Sequence, residues 1–267
     1  MVRIAAIFDI DGVIRDVSQS YRKALADTVE HFTTELLDES WRPSQADIDA
    51  LKAEGIWNND WEGSQELICR AWEKNGGDRA ALKLEFEAIV AFFQSRYRGN
   101  GDLPEQWDGY INNEPLLVRP DYFADLTHAG IAWGFFSGAT RGSVSFVLER
   151  RLRLDRPIVH AMEDGPEKPD PTGLLSVLAQ LEALYQTTFD AVVYSGDTTG
   201  DMETLRQARQ RDRDRQWKAV GIIPPHLWSA PEREAEFRAL LSDRGADIVV
   251  RQVTDLTPMR VREVFLS

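Results

Sequence analysis

Apolar residues recur along this chain with two different periods, and the switch between them divides it. The opening stretch "RIAAIF" is a short continuous apolar run, the pattern of a strand buried on both faces. From Val17 to about Gly101 no comparable run follows. The segments "SYRKALADTVEHFTTELL", "SQADIDALKAEG", "WEGSQELICRAWEKN" and "AALKLEFEAIVAFFQSRY" instead carry apolar residues at helical spacing, which predicts an all-helical block. Within it, Ser44 with Asp47 three residues on reads as a helix N-cap with a capping box, and Gly76 and Gly77 mark a break between helices. From about Leu116 helix-length segments alternate with short apolar runs: "DYFADLTHAG" then "IAWGFF", "SVSFVLERRL" then "PIVHAM", "TGLLSVLAQLEALY" then "FDAVVYS", "METLRQARQ" then "KAVGII", and "APEREAEFRALLSDRG" then "ADIVV". Strands separated by helices predict an α/β fold, a parallel sheet with right-handed crossovers. The opening strand belongs to that sheet, so the helical block is an insertion. We expect a sheet domain from residues 1–15 and 116–267 and an inserted helical domain from residues 16–115.

Composition narrows the class. With 267 residues, 43% of them hydrophobic, the chain can bury a sizeable core. Asp and Glu outnumber Lys and Arg 44 to 31, a net charge of -13, which argues against nucleic-acid or anionic-membrane partners. An anionic ligand must then be met by local groups. The only cysteine, Cys69, excludes disulfides within the chain and Cys-rich metal sites, and fits a reducing compartment. No apolar run approaches the roughly 20 residues of a membrane span, and "MVRIAAIFDID" lacks the pattern of a signal peptide. A cytoplasmic protein is expected, its oligomeric state left open. The charge-dense "RQRDRDRQ" reads as a solvated loop.

The polar residues at the predicted strand ends carry the chemistry. Strand one runs into Asp9 and Asp11, "IAWGFFSGATR" into Ser137 and Gly138, and "FDAVVYSGDTTGDM" into Asp197 and Asp201, while "GPEKPDPTG" sets Lys168 ahead of a helix. The carboxyl ends of parallel strands form one crevice, so these groups should converge. Four carboxylates in one crevice repel one another unless a cation sits among them. Oxygen ligands without a His or Cys cluster favour a hard divalent ion, and Mg²⁺ is the one expected. The Ser137 hydroxyl, the neighbouring backbone amides and the Lys168 ammonium suit a tetrahedral anion such as phosphate. A carboxylate beside a neutralised phosphate can attack phosphorus, and a second carboxyl two residues on can handle protons.

The motifs "FDIDGV", "FFSGAT", "EKPDP" and "SGDTTGDM", in this order, resemble the four signature motifs of the haloacid dehalogenase superfamily of phosphohydrolases. The helical insertion after the first motif resembles the C1-type cap of the branch that holds phosphoglycolate phosphatases and β-phosphoglucomutases. "EPLLVRPDYFADLTHAGIAWGFFSG" is similar to that branch's approach to the second motif. The resemblance implies a Rossmann-like core with a helical cap. It implies a Mg²⁺-dependent phosphatase of a small phosphorylated metabolite. In that reading Asp9 is the nucleophile, Asp11 the acid–base, and Ser137, Gly138 and Lys168 the phosphate clamp. Asp9, Asp11, Asp197 and Asp201 form the metal site.

Haloacid dehalogenases proper lack the second aspartate of the first motif, and phosphonoacetaldehyde hydrolases carry Ala there; Asp11 therefore favours phosphoryl chemistry. "DGVI" is similar to β-phosphoglucomutases, whose early cap histidine falls on Tyr21 here, so a phosphomutase is the alternative. A phosphometabolite-binding protein without turnover is the other. The scattered His31, His128, His160 and His226 match no motif. The leaving alcohol must be recognised elsewhere: "GIWNNDWEGS", with Asn58, Asn59, Asp60 and Trp61, is either a specificity loop or an interhelical turn, and Arg15 either reaches an anionic substrate or pairs with a carboxylate.

Overall fold

The computed structural model describes residues 2–266 apart from 38, 58 and 102; Asn58 therefore lies outside the described residues. In chain order the strand β1 (Ile4–Phe8) is followed by helices α1 (Tyr21–Leu36), α2 (Gln45–Ala53), α3 (Asp60–Lys74) and α4 (Phe86–Tyr97). Then come α5 (Pro120–His128), β2 (Ile131–Phe136), α6 (Arg141–Ser145), β3 (Val159–His160), α7 (Thr172–Tyr185), β4 (Ala191–Gly196) and α8 (Thr199–Arg211). β5 (Gln216–Ile222), α9 (Pro231–Asp243), β6 (Ile248–Val250) and α10 (Pro258–Glu263) complete the chain. Two compact units result, one from residues 1–16 and 115–267, the other from residues 17–114.

The first unit holds a six-stranded sheet in the order β3-β2-β1-β4-β5-β6, with every pair parallel. β1 is central, and its five residues are at most 2% exposed, which is why its sequence is a continuous apolar run rather than an alternating one. Ala5 and Ile7 face α7 and α8 through Leu174, Val177, Leu178, Met202 and Leu205. Phe8 packs instead with Phe123 of α5 and Phe135 of β2, ring centroids 6.0 and 6.3 Å away. Where the chain leaves this unit and returns, the Asp16 N–H donates to the Pro115 carbonyl (2.9 Å) and the Leu117 N–H to the Ile14 carbonyl (2.8 Å).

In the second unit α1, α3 and α4 pack on one another through Leu25, Val29, Leu67, Ile68, Ile89 and Phe93, and Tyr21 stacks on Tyr97 at 4.0 Å. Ser44 and Asp47 form the capping box that opens α2. The last predicted helix starts later than its pattern suggested. After the short 3₁₀ turn Arg79–Ala81, residues 82–85 lie outside any helix and α4 begins at Phe86, because Leu82, Leu84 and Phe86 turn inward alternately, as an extended chain requires. Nor is the charge-dense stretch a simple loop: Arg209, Arg211 and Arg215 pair with Asp247, Asp170 and Glu182 and tie the end of α8 to its neighbours. No helix among the described residues is long and apolar enough to cross a membrane.

Candidate active site

Register brings the polar strand ends together. Phe8 lies level with Phe135 on one side and Ser195 on the other, so Asp9 stands beside Phe136 and Gly196, with Ser137 and Asp197 one residue beyond. The Asp9 N–H extends the ladder to the Ser195 carbonyl at 2.8 Å. Oxygen atoms of Asp9, Asp197 and Asp201 come within 4.8 Å of one another. Lys168 threads between them: its Nζ lies 2.8 Å from Asp9 Oδ1 and 2.7 Å from Asp201 Oδ1, with only 7% of its side chain exposed.

Asp201 is the most tightly held of these carboxylates. Thr198 is the N-cap of α8, and the Thr198 hydroxyl and N–H donate to Asp201 Oδ2 at 2.6 and 3.0 Å. Lys168 and the Tyr194 hydroxyl take Oδ1, the latter at 2.6 Å. A carboxylate offers about four acceptor positions, and protein donors fill those of Asp201. Asp201 belongs to the group of three carboxylates that could hold a metal ion, and these bonds also set it against Lys168. Burial works against its charge, but Lys168 and the Thr198 and Tyr194 hydroxyls outweigh it and hold Asp201 below the usual carboxylate range. Lys168 is raised, since its two carboxylate partners overcome a desolvation that acts the other way.

Asp9 and Asp197 behave oppositely. Burial, countered by Lys168 but reinforced by Asp201 and Asp11, pushes Asp9 up to about 7. Burial and then repulsion from Asp9 and Asp201 push Asp197 well above its ordinary value. The charge balance gives the reason. Asp9, Asp11, Asp197 and Asp201 gather more carboxylate groups than Lys168 and Arg15, the cations that bond them, can offset. That surplus leaves room for a cation, and the donor set, all oxygen, fits a hard divalent one.

Gly12 completes the turn after the first carboxylates. Its φ is +74°, and a Cβ on it would lie 1.9 Å from Asp197 Oδ2, so only glycine lets the turn approach this carboxylate. Ser137 is 1% exposed; its hydroxyl accepts the Ala139 N–H at 3.1 Å and keeps its own proton to donate. Gly138 is exposed, and a side chain there would meet open space.

Three of the residues singled out for specificity, Arg15, Asn59 and Asp60, have partners within the protein. Arg15 is fully buried and donates through Nε to Asp11 Oδ1 at 2.6 Å, so it pairs with a carboxylate rather than presenting its charge to a ligand. Asn59 is the N-cap of α3, accepting the Trp61 and Glu62 N–H groups at 2.9 and 3.4 Å. Asp60 pairs with Lys52 at 2.7 Å, and Lys52 also donates to the Trp57 carbonyl. Helix capping and an ion pair thus account for the polar groups of Asn59 and Asp60; Trp61 lies in the first turn of the same helix. Sequence reasoning passed over Tyr194, Thr198 and Gly12. Thr198 was detectable as the first residue of a T-x-x-D capping box, and Tyr194 as the only hydroxyl-bearing ring in an aliphatic strand.

The fold and this cluster define a hydrolase of the haloacid dehalogenase type. The chain belongs to the haloacid dehalogenase-like hydrolases, whose family profile matches residues 5–209. It is similar in fold to a phosphonoacetaldehyde hydrolase-like protein from Oleispira antarctica (18% identical, 99% of this chain and 93% of that one, TM-score 0.68). It also resembles a phosphatase from Thermococcus thioreducens (21% identical, 81% and 92% covered, TM-score 0.62) and a β-phosphoglucomutase from Clostridium difficile (14% identical, 100% and 98% covered, TM-score 0.61). In sequence it is 29% identical over 265 residues to an imidazoleglycerol-phosphate dehydratase from Phytophthora nicotianae, covering 95% of this chain but 52% of that protein. The chain thus spans about half the length of that relative.

Proposed function

We propose that this chain is a phosphatase that hydrolyses a small phosphate monoester through an aspartyl-phosphate on Asp9, with Mg²⁺ as cofactor. The observation that carries this reading is the pairing of a buried Lys168 with Asp9 in a cluster of carboxylates able to hold a cation. Lysine and a divalent cation together are what a phosphate dianion needs if a carboxylate is to approach it. Asp9, Asp197 and the Asp11 backbone carbonyl would hold the Mg²⁺, which supplies charge neutralisation at phosphorus when bound.

The chain's own groups then do the following. Lys168, the Ser137 hydroxyl and the backbone at Gly138 orient the phosphate; Asp201, pinned by Thr198 and Tyr194, keeps Lys168 in place. Asp9 attacks phosphorus while Asp11 protonates the departing alcohol, and Asp11 next takes a proton from the water that cleaves the acyl phosphate. One feature favours hydrolysis over phosphomutation. Tyr21, at the position where the resemblance sets the mutases' histidine, is 8% exposed and stacked on Tyr97, so it offers packing rather than acid–base chemistry. Asp11 and Asp9 are both intact, which favours turnover over mere binding.

Phosphate release from a panel of phosphorylated metabolites tests this. The oomycete relative is named for imidazoleglycerol phosphate, itself a small phosphate monoester, which sets that ester and its dehydration product first on the panel. Release that requires Mg²⁺ and is lost in Asp9→Asn is expected. Tight binding of panel members without any phosphate release would make the chain a binding protein instead.

A further inference from the structure

Arg15 is the largest fully buried side chain among the described residues, and it lies beneath the second carboxylate of the first motif. The chain turns sharply to bring it there: the Ile14 and Arg15 N–H groups both return to the Ile10 carbonyl, at 2.8 and 3.2 Å, and the Gly12 N–H bonds the Arg15 carbonyl at 2.9 Å. Its Nε then reaches Asp11 Oδ1 at 2.6 Å, while the Asp11 side chain keeps 27% of its surface exposed. A wholly buried guanidinium is a poor device for stability, because desolvation consumes most of what the ion pair returns, and an apolar residue would fill this place at lower cost. The geometry is, however, well suited to fixing a carboxyl group in one orientation.

We propose that Arg15 is a positioning residue for general acid–base catalysis. By engaging Oδ1 it holds the Asp11 carboxyl group and leaves Oδ2 as the atom that carries the proton. As the bond from Asp9 to phosphorus forms, the ester P–O bond breaks and the alcohol oxygen takes the proton from Oδ2. When water displaces Asp9 from phosphorus, its proton returns to Oδ2, so Asp11 ends as it began and the net reaction adds water to the ester. This rests on the reading of Asp11 as the acid–base.

The test uses kcat/KM, which reports only the steps through departure of the alcohol, for two esters of similar shape. Phenyl phosphate needs its leaving oxygen protonated far more than 4-nitrophenyl phosphate does. Arg15→Met should lower the phenyl-to-4-nitrophenyl ratio of kcat/KM by about 10- to 100-fold, the scale of a misplaced acid, and should lower it no further in an Asp11→Asn background. Equal loss on both esters, or a loss that adds fully to that of Asp11→Asn, overturns the proposal. Should Arg15→Met fail to fold, Arg15→Lys keeps a positive charge without the planar guanidinium, and an unchanged ratio in that variant overturns it likewise. If Asp11→Asn itself leaves the ratio unchanged, the acid–base reading has failed, and the role of Arg15 falls with it.

Discussion

Gly12→Ala should disable the site while leaving the fold standing. The added Cβ would lie 1.9 Å from Asp197 Oδ2, whereas real Cβ contacts do not fall below 3.0 Å, so Asp197 or the turn must retreat by more than about 1 Å. A non-glycine residue held at this turn's φ of +74° also costs roughly 1–2 kcal/mol. For a chain of this size each kcal/mol lowers Tm by about 2–4 °C, which gives a drop of roughly 2–8 °C. A 1 Å misplacement of a group that orients the reaction is worth about 10²-fold in rate. The assay is kcat/KM on 4-nitrophenyl phosphate across a Mg²⁺ titration, with thermal unfolding alongside. The variant should unfold cooperatively, lose about 10²-fold in kcat/KM and need more Mg²⁺ for half-maximal activity. A folded Gly12→Ala enzyme with unchanged rate and Mg²⁺ requirement would falsify the assignment of Asp197 to the metal.

Three further outcomes follow. Because Asp9 is raised to about 7 in the folded state, the metal-free fold holds protons that the unfolded chain has released. Its stability should therefore fall as pH rises from about 4 to 7, and Mg²⁺ should restore more Tm at pH 8 than at pH 6; equal Mg²⁺ shifts at both pH values would contradict the charge balance. Burial lowers His160 below its ordinary value, so the folded state disfavours the proton that the unfolded chain accepts. Stability should drop as pH falls below about 6.5, and His160→Phe should flatten that part of the unfolding profile. Asn59→Ala removes the N-cap of α3 and should cost about 0.5–2 kcal/mol in denaturant unfolding while leaving the ranking of substrates as it was; a reordered ranking would return the loop to a recognition role.

The sheet was readable because its strands are buried on both faces: "IAAIF" and "AVVYSG" admit few other readings once helix-length segments separate them. The carboxylates were readable because a chain has little reason to end such strands in charge. What stayed hidden depends on distances that no local pattern encodes. That Gly12 is required by contact with Asp197, 185 residues later, is a matter of packing rather than of turn propensity. The number of donors that each aspartate meets was equally hidden: Tyr194 reaches Asp201 only because β4 points it there. For Asn59 and Asp60 the sequence leaves two readings open for a plain reason: the residue types that cap helices are also those that bind ligands.

β1 also imposes an order on the making of the protein. Both of its neighbours come much later in the chain, since Ile4 pairs with Ile131 on one side and Ala191 on the other. On the ribosome, at about 5–20 residues per second, this apolar strand waits roughly 10–40 seconds before its second partner exists. The helices of residues 17–114, whose contacts are local, can form during that interval, whereas β1 can only be sheltered by something other than its own sheet. The strand that places the proposed nucleophile is therefore the segment most open to wrong pairing during synthesis, and nascent-chain chaperones should meet "IAAIF" before any other part of the sheet.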